Sequence, residues 1–82
     1  MTSEEAEIAR LREAIFDYLQ RNPEAADTLG GIVNWWLPPE PVRIEASRVE
    51  RALEQLVAEG FAVKSVLVEG TVLYARARGR KG

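Results

Sequence analysis

The chain has 82 residues, a net charge of −2, 46% hydrophobic and 29% charged residues, the composition of one ordinary globular domain rather than a disordered segment. It has no cysteine and no histidine, which excludes disulfides, thiolate or imidazole zinc sites and the usual general base. No apolar run reaches the roughly 18 residues of a membrane span, and MTSEEAEIAR is acidic where a signal peptide is basic and then apolar, so a cytoplasmic protein is expected.

Thr2 followed three residues later by Glu5 predicts a capping box at the start of a first helix, with Glu4, Glu5 and Glu7 favoured by the helix dipole. Ile8, Leu11, Ile15, Tyr18 and Leu19 form its apolar stripe. Arg21-Asn22-Pro23 ends it, because the residue before proline is pushed out of the α region.

EAADTLGGIVNWWLPPEP comes next. Asp27 or Thr28 is the expected N-cap of a short second helix carrying Leu29, Ile32, Val33 and Trp36 on one face, with Trp35 at its flank. Trp36 is expected in the core. Trp35 is open between half-buried packing and a role as a partner-binding anchor. Gly30-Gly31 costs roughly 1 kcal/mol per glycine relative to alanine, which predicts a close backbone approach to another helix. Pro38, Pro39 and Pro41 then forbid helix and predict a stiff loop.

A third helix is expected from near Glu45–Ser47 to Glu59, with Val49, Ala52, Leu53, Leu56 and Val57 inward and Gly60 as its stop. Ser47, Arg51, Glu54, Gln55 and Ala58 fall on the outward face, with Arg48 and Glu50 at its two flanks. FAVKSVLV and TVLYARA read as two strands around a two-residue Glu69-Gly70 turn, which would pair Val68 with Thr71 and Val66 with Leu73. One ribbon face would then hold Phe61, Val63, Leu67, Val72, Tyr74, Arg76 and Arg78. The other would hold Ala62, Lys64, Val66, Val68, Leu73, Ala75 and Ala77. Both are substantially apolar, so either a bulge changes the register or something covers one face. Residues 79–82 are expected to form a flexible basic tail on a single domain spanning residues 1–78.

This is an α+β arrangement of three helices followed by a two-stranded antiparallel hairpin. In that order, VERALEQLVAEGFAVK…GTVLYAR resembles the pattern of a winged-helix domain: a valine, an Ala-Leu, a Leu-Val, a glycine, an aliphatic strand, a glycine turn and a tyrosine. The resemblance spans nearly the whole chain as an arrangement, and its motifs are shared by many winged helices. It implies a transcription-regulatory module whose third helix meets duplex DNA, with Ser47, Arg48, Arg51 and Gln55 at base edges or phosphates. Lys64, Arg76 and Arg78 would lie on the wing or its base.

The residues themselves carry two uses. Charge is uneven: residues 1–30 hold seven acids and three bases, whereas residues 61–82 hold Glu69 against Lys64, Arg76, Arg78, Arg80 and Lys81. That basic end suits phosphate contact, and equally a solvated tail. The third helix carries Glu45, Glu50, Glu54 and Glu59 against two arginines. Together with the two-sided apolar ribbon, this motivates the alternative of a protein-interaction module, a homodimer or a subunit of a larger complex, using Trp35, Val66, Val68 and Leu73. An enzyme, a metal site and a cofactor are not expected, since the carboxylates show no catalytic pairing and no phosphate-loop motif is present.

Overall fold

The computed structural model describes residues 2–37 and 44–77. Helix α1 runs Ser3–Arg21 and opens with the expected capping box: the Thr2 hydroxyl accepts from the Glu5 N–H (3.0 Å), and the Glu5 carboxylate accepts from the Thr2 N–H (3.1 Å). Ile8, Leu11, Ile15 and Leu19 are buried along one stripe. Helix α3, Ala46–Ala58, buries Val49, Ala52, Leu53 and Leu56 against it, all at 0% exposure. These two amphipathic stripes form the centre of the core, which Ile32, Trp36, Leu37, Ala62 and Tyr74 complete. Burying a leucine or isoleucine side chain contributes roughly 1.5–3 kcal/mol, so this seam dominates the stability of the domain.

The end of α3 follows from Gly60. Its φ of +87° lies in the left-handed region, which lets the Gly60 N–H donate to the Val57 carbonyl (3.1 Å) and the Phe61 N–H to the Leu56 carbonyl (2.9 Å). These paired bonds satisfy the last carbonyls of the helix and turn the chain directly into the sheet.

Between α1 and α3 the structure departs from expectation in three ways. Ala26–Asp27 forms a short strand, β1, which two residues are too few to announce by any period. Thr28 then caps α2, Leu29–Gly31, by accepting from the Gly31 N–H (3.2 Å), and the coil widens into a π-helical segment, Ile32–Trp36. The segment buries Ile32, Trp36 and the following Leu37, with the Trp36 ring stacked on Tyr18 at 4.5 Å and 12°. Finally, the glycine pair does not mark an approach to another helix. A Cβ on Gly30 would make only an ordinary contact with the Thr28 hydroxyl (3.9 Å), whereas a Cβ on Gly31 would fall inside the Asp27 carboxylate, which folds back to accept from the Thr28 N–H (2.8 Å). Gly31 is required by its own N-terminal loop. The expected Pro38-Pro39-Pro41 loop lies outside the described residues, as do Arg78 and the 79–82 tail.

The fold is α+β, with helices on one side of a three-stranded antiparallel sheet rather than the two-stranded hairpin alone. Strands β2 (Ala62–Val66) and β3 (Val72–Arg76) form the hairpin, and β1 pairs with β3, so the order is β1-β3-β2. The hairpin register is one residue away from the expected one: Val66 pairs with Val72, not Leu73. The loop is Val68-Glu69-Gly70, closed by the Gly70 N–H to the Leu67 carbonyl and the Leu67 N–H to the Thr71 carbonyl, both 2.8 Å. Gly70 at φ +96° is the bulge residue of such a three-residue loop. A one-residue slip reassigns every cross-strand pair to a new face. Ala62, Lys64 and Val66 share the inner face with Arg76, Tyr74 and Val72, whereas Val63 and Ser65 share the outer face with Ala75 and Leu73. The expected grouping of Val66 with Leu73 is therefore wrong.

Candidate interaction surface

Helix α3 presents Ser47, Arg51, Glu54, Gln55 and Ala58 to solvent, the outward face read from the helical period. Its two arginines are not free. Arg51 donates to the Glu4 carboxylate at 2.8 Å, and Arg48 donates to the Glu7 carboxylate. A third pair at the far end joins Arg12 of α1 to Glu59 just beyond α3 (Nε to Oε1, 3.0 Å). The Arg12 guanidinium also reaches Glu13 at 3.1 Å. Thus the acidic first turns of α1, expected only to complement the helix dipole, also neutralise the arginines of α3. No sequence signal announces this, because it depends on the angle and offset at which two helices pack. The Glu7 hydrogen bond pushes the Arg48 pKa further above its ordinary range, with Glu45 and Glu4 adding to it and burial opposing it. Arg51, with 59% of its side chain exposed, remains the more accessible of the two.

The inner edge of the hairpin is electrostatically mixed. Tyr74 is buried at 3% exposure, and its phenol pKa is raised first by burial and then by the negative charge of Glu50 and Glu54. The charges of half-buried Glu50 and exposed Glu54 on α3 thus reach the Tyr74 phenol. Lys64, opposite Tyr74, and Arg76, opposite Ala62, are exposed and make no ion pair among the described residues. Ser47, Arg51 and Gln55 sit on α3, and Lys64 and Arg76 sit on the hairpin.

The outer sheet face is of another kind. Phe61, Val63, Ser65 and Leu67 lie opposite Ala77, Ala75, Leu73 and Thr71, and Ala26 of β1 lies opposite Ala75. None of these nine residues carries a charge. Phe61, Val63 and Leu67 are 43%, 43% and 40% exposed, and Phe61 meets α1 through an edge-on contact with Phe16 at 5.1 Å. Val66 is 66% exposed at the free edge, and Val68 at the loop tip is fully exposed. Leu73 is half-buried between its neighbouring strands. Trp35, at 77% exposure on the π-helical segment, is the one large exposed apolar residue outside this stretch among the described residues. At that exposure the half-buried packing that the sequence allowed is not what the ring does.

Sequence reading singled out Val66, Val68, Leu73 and Trp35 as partner-binding candidates; it grouped Val63 and Leu67 on the opposite ribbon face and left open which face is buried, so it did not name them. The signal that finds them is the glycine bulge: a Val-Glu-Gly loop in place of a Glu-Gly turn exchanges the faces.

Comparison with protein-family models, with curated proteins and with solved structures gives no significant match to this chain. Among the described residues, no helix is long and apolar enough to cross a membrane.

Proposed function

We propose that this chain is a non-catalytic, winged-helix-like protein-interaction module whose contact surface is the β2 side of the hairpin. The observation that carries this reading is the concentration of exposed large apolar residues: Phe61, Val63, Val66, Leu67 and Val68 lie within eight residues on an edge strand and its loop. A monomeric surface rarely clusters such residues without a partner, and an open strand edge adds unpaired backbone groups to the same place. The order of three helices and a C-terminal hairpin supports the winged-helix likeness, and the absence of histidine and cysteine supports a non-catalytic role. The cytoplasm is the proposed compartment.

The test is a photo-reactive phenylalanine placed at Val63 or Val66, with exposed Gln20 on α1 as control, irradiated in the native cytosol. Adducts to a protein chain from positions 63 and 66, but not from 20, are expected. Equal or absent adducts at all three positions would remove the reading.

Duplex DNA binding is the second reading, and one observation favours it: Arg51, Lys64 and Arg76 are exposed cations on the third helix and the hairpin. Against a phosphate surface stand Glu4 and Glu7 on the arginines and the further acids Glu50 and Glu54 on α3 itself. Fluorescence anisotropy with a labelled duplex at about 50 mM salt tests it, since phosphate contacts weaken steeply with added salt. Absence of binding at micromolar protein removes this reading without touching the first.

A further inference from the structure

We draw no further inference here: the strongest candidate, the uncharged outer sheet face with the exposed β2 edge beside it, is an unpartnered apolar surface, and nothing in the structure shows what covers it.

Discussion

Alanine is normally preferred over glycine in a helix by up to about 1 kcal/mol, and Gly31 has an ordinary helical backbone, φ −64° and ψ −39°. By propensity, Gly31→Ala should therefore stabilise this protein. The structure reverses the sign. The new methyl group would occupy the space of the Asp27 carboxylate, which is short, sits on β1 and is held by the Thr28 N–H at 2.8 Å. If Asp27 swings away, a hydrogen bond to a charged acceptor is lost, about 1.5–3 kcal/mol; if it stays, the loop is overpacked at a cost of about 1–3 kcal/mol. After the propensity gain, Gly31→Ala should destabilise by about 1–2 kcal/mol. With an unfolding entropy near 2.1 cal/mol/K per residue, or roughly 170 cal/mol/K here, the melting temperature should fall by roughly 6–12 °C. The informative assay is a double-mutant cycle by urea or thermal unfolding. In an Asp27→Ala background the obstruction is gone, so Gly31→Ala should become neutral or stabilising by up to about 1 kcal/mol. An equal penalty in both backgrounds, or a gain in the wild type, would refute the close approach of Asp27 to Gly31.

Four further outcomes follow from the same geometry. Leu53→Ala, at 0% exposure on the α1–α3 seam, should cost about 2–5 kcal/mol, against a total of about 4–12 kcal/mol for a domain of this size, as read from urea midpoints. Gly60→Ala should cost about 1–2 kcal/mol through its φ of +87° alone, since nothing lies within 4 Å of the added methyl group, and Gly60→Asn should recover part of the loss. The Tyr74 pKa is raised above its ordinary 10.0, so the folded state holds the phenolic proton more tightly than the unfolded state. That stabilisation is fully present below about pH 10 and is lost as pH rises through the higher folded value. Chemical denaturation against pH should show an alkaline decline that Tyr74→Phe makes shallower. For the DNA reading, Glu4→Gln with Glu7→Gln should raise low-salt duplex affinity several-fold by releasing Arg51 and Arg48, and unchanged anisotropy curves would remove these arginines from that surface.

The large-scale plan of the chain was legible because it rests on local rules. The Thr2–Glu5 capping box, the stripe from Ile8 to Leu19, the inward set from Val49 to Leu56 and the Gly60 stop each depend on residues within one or two helical turns of one another. Trp36 followed from the same arithmetic, since its spacing from Ile32 survives a modest widening of the coil.

Tertiary structure decided whatever depended on distant segments or on a single residue of slack. Ala26–Asp27 is a strand only because β3 lies beside it. Arg48 and Arg51 are paired only because α1 packs on α3 at an offset that brings Glu7 and Glu4 alongside. One extra residue in the Val68-Glu69-Gly70 loop determined which apolar side chains face water, because strand faces alternate at every position and a shift of one exchanges them all. Helical stripes tolerate such slack and strand faces do not, so the core could be read from the sequence, whereas the face of the hairpin that meets solvent could not.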